Sequence, residues 1–245
     1  MAKVIGIAIQ KGGAGKSTTT FELASILAEE YNRRVLVADV DPQATLTHFC
    51  QQAPYSTAYD LLRGQPWQPV RPRGFSFDLI PSSIDLAEAE LVLTKHPTWG
   101  LLLKEGLTPV LDSYDYILLD APPSLGLLTS NVILAAAGLI IPVQTEEEAA
   151  RGMGLLLATM NNITRTPPPV IAVVPTRYNA QSVYHRAVLD NLRSTYGALV
   201  TDPVKQSVRF PESTTMHQPI THYEPELAAP YRDLAARVES WAQHG

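Results

Sequence analysis

Lys11-Gly12-Gly13-Ala14-Gly15-Lys16-Ser17-Thr18 stands between the apolar run Val4-Ile5-Gly6-Ile7-Ala8-Ile9 and a helical pattern from Thr19 to Tyr31. Strand, glycine-rich turn and helix in that order form a phosphate-binding arrangement. The glycines let successive backbone N–H groups converge on one anion, and the helix N-terminus adds partial positive charge. Lys16 is placed to reach β- and γ-phosphates, and Ser17 offers a hydroxyl to a magnesium ion. Gln10 occupies the position of the first glycine of G-x-x-x-x-G-K-[ST], and a second lysine, Lys11, precedes the glycine pair, which makes this a deviant Walker A box.

Two further strands end in acid. Arg34-Val-Leu-Val-Ala-Asp39 is continuously apolar, as a parallel strand covered on both faces should be, and runs into Asp39-Val40-Asp41-Pro42-Gln43. Tyr114-Asp-Tyr-Ile-Leu-Leu-Asp120 has the shape of a Walker B segment, with Asp120 placed to hold magnesium through a water. Carboxylates at the C-terminal ends of strands lie on the ligand side of an open α/β sheet, where they hold a metal or orient a water.

The rest of the chain alternates in the same way. Further strands are expected at Phe75–Pro81, Leu139–Val143 and Val170–Val174. Helices are expected over Thr57–Arg63, Ile84–Thr94, Trp99–Ser113, Leu125–Ala137, Gln181–Tyr196 and, as an amphipathic closing element, Glu226–Gln243. Glu146, Glu147 and Glu148 read as an acidic first turn of a helix rather than as catalysts. Arg177 and Tyr178, at a strand end, either flank the base of a nucleotide or belong to a plain strand-to-helix loop. The pattern indicates an α/β fold, a single doubly wound, mainly parallel sheet with helices on both faces, spanning residues 1–245 as one domain.

Composition narrows the function classes. With 19 Lys and Arg against 24 Asp and Glu, the net charge of −5 confines any nucleic-acid contact to a local patch. The single Cys50 excludes an internal disulfide framework and a cysteine-only metal or iron–sulfur site within one chain. No window resembles a signal peptide or approaches the ~20 apolar residues of a membrane span, so a cytoplasmic location is expected.

Lys-Gly-Gly-Ala-Gly-Lys-Ser (11–17), Asp-Val-Asp-Pro-Gln (39–43), Leu-Leu-Asp-Ala-Pro-Pro-Ser-Leu-Gly (118–126), Pro-Val-Gln-Thr-Glu (142–146), Val-Lys-Gln-Ser-Val-Arg-Phe-Pro-Glu-Ser (204–213) and His-Gln-Pro-Ile (217–220) occur in that order. The series resembles the ParA/Soj branch of deviant-Walker ATPases nearly end to end. The resemblance implies an ATPase using ATP and Mg2+ that dimerises around nucleotide, binds nonspecific DNA of the nucleoid when loaded, and hydrolyses ATP when stimulated by a ParB-like partner. Such proteins position plasmids, chromosome origins or protein cargo. By position, Lys11 is the lysine that reaches the phosphates of the opposite subunit. Gly12, Gly13, Ala14, Gly15, Lys16, Ser17 and Thr18 serve the nucleotide of their own subunit. Asp41 orients the attacking water and, with Ser17 and Asp120, supports the metal, while Phe210 and Pro211 join the nucleotide contacts.

The chain departs from this branch in two places. The N-terminal DNA-binding domain of larger plasmid forms has no counterpart, so operator-specific repression is not expected. Glu226-Leu-Ala-Ala229 replaces a Ser-Arg-Gly-Ala stretch, which removes an arginine expected to hold DNA. Arg186, Arg193, Lys205, Arg209, Arg232 and Arg237 remain as candidates for sequence-blind phosphate contacts. Two rival readings are a MinD-like membrane-associated ATPase and an amide-forming or cyclo-ligase enzyme. The tail from Leu234 to Gly245, with one arginine and one glutamate, is a poor membrane anchor. No separate substrate constellation marks the second.

Overall fold

In the computed structural model, which describes all residues except Ala53, Pro54, Glu147, Glu148 and Gly245, and leaves the side chains of Glu90, Leu91, Lys95, Ala149 and Ala150 undescribed, one parallel sheet runs through the protein. Its strands are β1 (Lys3–Ile7), β2 (Val35–Asp39), β3 (Asp78–Ile80), β4 (Tyr116–Asp120), β5 (Gly138–Gln144) and β6 (Val170–Thr176), in the spatial order β3-β2-β4-β1-β5-β6. The helices between and after them are α1 (Lys16–Glu29), α2 (Thr45–Phe49), α3 (Ala58–Leu62), α4 (Leu86–Val92), α5 (Leu102–Leu107), α6 (Leu127–Ala135), α7 (Ala149–Ile163), α8 (Val183–Tyr196), α9 (Arg209–Thr215), α10 (Ile220–Tyr223) and α11 (Ala229–His244).

Successive side chains of a strand point to opposite faces, and each face here has its own core. On β4, Ile117 and Leu119 join one core with residues of α3 to α7, whereas Tyr116 and Leu118 join the other with α1 and α11. The second core contains Phe21, Leu23, Ile26 and Leu27 from α1. From α11 it takes Tyr231, Leu234, Ala235 and Val238, whose 3- and 4-residue spacing lays one stripe on the sheet. Strands covered on both faces explain why β2 and β4 are buried at every position. The proline-rich connection before β3 is used at the sheet edge: Val70 and Leu79 exchange both backbone hydrogen bonds, at 2.9 and 2.8 Å, and cover the outer side of that strand.

Several elements differ from expectation, each for a local reason. The helix expected over Trp99–Ser113 is confined to Leu102–Leu107 and passes into a 3-10 turn at Thr108–Val110, where Pro109 has no N–H to continue the ladder. The helix expected from Glu226 begins at Ala229, after a 3-10 turn opened by Pro225. Helix α1 starts at Lys16, three residues before the apolar pattern, because Gly15 takes a left-handed conformation at φ 89° and turns the chain there. Ser17 and Thr18 therefore belong to its first turn.

The registers place the acids together. Ile7 pairs with Asp120 across β1 and β4, and Asp39 pairs with Asp120 across β2 and β4. The end of β1, where the glycine loop begins, and the two acidic strand ends therefore share the carboxyl edge of the sheet, which is where open α/β folds bind ligands.

Candidate nucleotide site

The loop after β1 is held from behind by its carbonyls. Gln144 at the end of β5 donates its side-chain amide to the Gly13 carbonyl at 2.7 Å, and the Thr176 hydroxyl at the end of β6 donates to the Ala14 carbonyl at 2.9 Å. With these oxygens bound on the sheet side, the loop runs into the N-terminus of α1, whose first N–H groups have no intrahelical acceptor. Gly13 (φ 71°) and Gly15 (φ 89°) take conformations that side chains resist, and a Cβ on Gly15 would lie 3.3 Å from the Thr176 methyl. Gln144 and Thr176 escape a sequence reading that looks for glycine and lysine; their signal is only a polar residue at the end of a buried strand.

A cavity of about 670 Å³ opens over this loop. Gly12, Gly13, Ala14, Gly15, Lys16, Ser17 and Thr18 line it, with Asp41, Arg177, Lys205, Phe210 and Pro211. The volume lies within the ~300–1,000 Å³ of small-molecule and cofactor sites. Phe210 and Pro211 come from α9, so residues nearly two hundred positions apart line one cavity. Tyr178 is not among the lining residues: its backbone N–H and carbonyl are taken by Val204 and Gln206, which draws it into a bridge beside the cavity. Of the expected pair at this strand end, only Arg177, itself left-handed at φ 53°, faces the cavity.

The charges beneath the loop balance unevenly. Lys16 is buried, and its Nζ donates to the Lys11 carbonyl at 3.1 Å. Burial pushes its ammonium below the usual lysine range, while the carboxylates of Asp120 and Asp41 act against that. Asp120 is fully buried; burial and then the Asp39 charge push its carboxyl well above the usual range, with the Ser17 hydroxyl and Lys16 opposing. Thr20 donates to Asp120 Oδ1 at 3.3 Å, but among the described residues buried Oδ2 has no hydrogen-bond partner.

An unpartnered buried carboxylate oxygen beside the Ser17 hydroxyl and below a phosphate-type loop suits a hard divalent cation such as magnesium. Among the described residues no cluster of three His, Cys, Asp or Glu forms a complete cage. A cation here would fill its remaining positions with water and substrate oxygens, as magnesium commonly does.

Lys11 turns the other way. Its Nζ lies 2.6 Å from Glu146 Oε2. Glu146 sits in a bend after β5 rather than in the first turn of α7, and the ammonium beside it holds its carboxyl below the usual range. Glu147 and Glu148, expected in the same turn, lie outside the described residues.

The six basic candidates for DNA contact divide. Lys205 lines the cavity. Arg193 pairs with Asp202 at 3.5 Å, Arg209 with Glu212 at 2.8 Å, and Arg232 with Glu30 at 2.9 Å. Arg186 donates to the Ala180 carbonyl at 2.5 Å, and Arg237 to that of Ala198. Among the described residues no helix is long and apolar enough to cross a membrane.

Residues 2–173 match the family model described as AAA domain. The chromosome-partitioning ATPase Soj of Thermus thermophilus is 35% identical over 245 residues, covering 98% of this chain and 96% of that protein. Among solved structures, the ATP complex of a Cyanothece McdA superposes with a TM-score of 0.89 at 22% identity, over 97% of this chain and 96% of that one, and so attests to the fold. Cobyrinic acid a,c-diamide synthase of Mycobacterium smegmatis, with bound ADP and magnesium, superposes with a TM-score of 0.81 at 30% identity, over 96% of this chain and 93% of that one. Motif order, parallel-sheet topology and near-full-length identity agree, and the chain belongs to the AAA-domain family, in its ParA/Soj branch of partitioning ATPases.

Proposed function

We propose that residues 1–245 work as one ParA-like unit that binds ATP with magnesium in the cavity over the glycine loop, dimerises on it, and hydrolyses it to position a plasmid, chromosome or protein cargo. The observation that carries this reading is the orphaned Asp120 Oδ2 under a loop whose carbonyls are tied back to β5 and β6. Ser17, Asp41 and Asp120 are the residues that would hold magnesium, which when bound supplies positive charge to the phosphates. Lys16 neutralises phosphate charge from within the same chain, Arg177 adds charge at the rim, and Phe210 with Pro211 forms an apolar wall for the base. Asp41, at the cavity wall, orients the attacking water. Phosphoryl transfer needs little more from a protein than positioning and electrostatic stabilisation.

Lys11 reaches the phosphates of a second copy, which makes hydrolysis conditional on dimerisation. The loaded dimer binds nonspecific DNA, placing it on the nucleoid in the cytoplasm, and a ParB-like partner stimulates turnover. The carrying test is titration calorimetry of Mg·ATP with light scattering. Tight binding and a doubling of mass are expected; a chain that stays single and ignores Mg·ATP overturns the reading. DNA binding with ATP is measured at low and raised salt, and absence of binding at low salt removes that half.

The 30% identity to the diamide synthase supports a second reading, an amide-forming enzyme that activates a carboxylate with ATP. The two separate on stimulation: ATP turnover raised by DNA and a partner protein supports positioning, whereas turnover that requires an ammonia donor and a carboxylate supports the synthase.

A further inference from the structure

The chain leaves the sheet at Asp41, and the hydrogen bonds that a strand would have provided are made by side chains instead. The Asp41 N–H donates to Asp39 Oδ1 at 3.2 Å, and the Asp41 carbonyl accepts from the Ser82 hydroxyl at 2.5 Å and the Ala44 N–H at 2.8 Å. Asp39 Oδ2 accepts both the N–H and the hydroxyl of Thr47, at 2.9 and 2.7 Å. The Thr47 hydroxyl in turn accepts the Ser82 N–H at 2.9 Å. The four residues close a ring, Asp39 to Asp41 to Ser82 to Thr47 and back, and every member is buried.

Each link has a local cause. Helix α2 has Ala44 at its N-cap, a residue with no side-chain acceptor, so its first-turn N–H at Thr47 is capped from outside by Asp39. Ser82 stands two residues beyond β3, the strand next to β2, which brings its hydroxyl level with the turn at Asp41. The Asp41 side chain, which accepts the Gln43 N–H at 2.9 Å on Oδ1, faces the cavity.

We propose that Ser82 and Thr47, with Asp39, are positioning residues for Asp41: they hold the backbone of residue 41 on both its N–H and its carbonyl side, so that its carboxylate meets the attacking water at the correct angle. The inference rests on the reading of Asp41 as the group that orients that water. Small displacements of such a group are costly, a misplacement of about 1 Å being worth as much as a hundredfold in rate.

The test is single-turnover cleavage of Mg·ATP by the full chain, with binding of a non-hydrolysable ATP analogue and thermal melting measured alongside. Ser82→Ala and Thr47→Val are expected to bind the analogue within about twofold of the unaltered protein and to cleave ATP about tenfold more slowly. Thr47→Ser, which keeps the hydroxyl, restores the rate. Combined with Asp41→Ala, neither substitution slows cleavage further, because residues that act as one unit are not additive. If Asp41→Ala is slow while Ser82→Ala and Thr47→Val cleave normally, the positioning role fails alone. It also fails if binding, melting temperature and rate fall together, or if the losses add to that of Asp41→Ala. If Asp41→Ala cleaves normally, the reading of Asp41 itself fails and the positioning role with it.

Discussion

Lys11 Nζ lies 2.6 Å from Glu146 Oε2, so the lysine that distinguishes this loop from the common phosphate-binding form is paired within its own chain. The pair is only partly shielded, with side chains 21% and 49% exposed, and pairs of this kind contribute roughly 0–1 kcal/mol. A contact that weak can be exchanged for the phosphates of a second subunit. Glu146→Gln is therefore expected to leave the melting temperature nearly unchanged and to strengthen ATP-dependent dimerisation by up to about fivefold, the equivalent of about 1 kcal/mol. Lys11→Ala should weaken it. Light scattering against ATP concentration checks both, and unchanged dimer formation by Lys11→Ala counts against a role in trans.

Asp120 sets function against stability. Its carboxyl is fully buried with one oxygen unpartnered among the described residues, an arrangement that favours a bound cation and disfavours the free protein. Asp120→Asn is expected to melt at the same temperature as the unaltered protein or higher without ligand, and to lose tenfold or more of the magnesium-dependent part of its ATP affinity. Calorimetry with magnesium and with a chelator gives that part directly. An unchanged magnesium dependence in the variant removes Asp120 from the metal site.

Glu22, on α1, makes stability depend on pH. Both its oxygens lie within 3.1 Å of the Ile220 N–H; burial, with the nearby Glu29 charge, pushes its carboxyl up to about 8. A raised carboxyl binds its proton in the folded state and loses it in the unfolded state between pH 4.5 and 8. Its contribution is thus fully present below pH 4.5 and disappears as pH rises through 8. Glu22→Gln keeps an acceptor for Ile220 and carries no charge. Its advantage in unfolding free energy should grow through this window to on the order of a few kcal/mol and then level off. Denaturant titrations at several pH values measure it, and a constant difference would show that Glu22 titrates normally.

Gly15→Ala tests the turn into α1. The left-handed φ of 89° costs a side chain about 1–2 kcal/mol, and the new Cβ would press on the methyl of Thr176, whose hydroxyl ties the loop to β6. Lower stability of about that size and weaker nucleotide binding are expected, with Thr176→Ser relieving part of the second effect. Binding that stays at the unaltered level would show that the loop tolerates a shift of its backbone.

The local elements were legible because their causes are local. Continuous apolar runs announced β2 and β4, and three glycines with Lys16 and Ser17 announced the loop. Boundaries failed where a proline or a left-handed glycine outweighed hydrophobic spacing, at Pro109, Pro225 and Gly15. The place of Tyr178 after a strand leaves a nucleotide contact and a plain loop both open; its backbone pairing with Val204 and Gln206 fixes where it sits, and nothing in its neighbours along the chain signals that pairing.

From its sequence alone, then, this protein has a phosphate loop, two acidic strand ends and an alternating parallel architecture, because each depends on residues within a few positions of one another. Only the folded chain decides that Gln144 and Thr176 hold the loop, that Glu146 holds Lys11, and that Ser82 and Thr47 surround Asp41. Those contacts join residues up to 162 positions apart, and strand order and register, which bring such residues to one edge, come from packing the whole sheet between its two layers of helices.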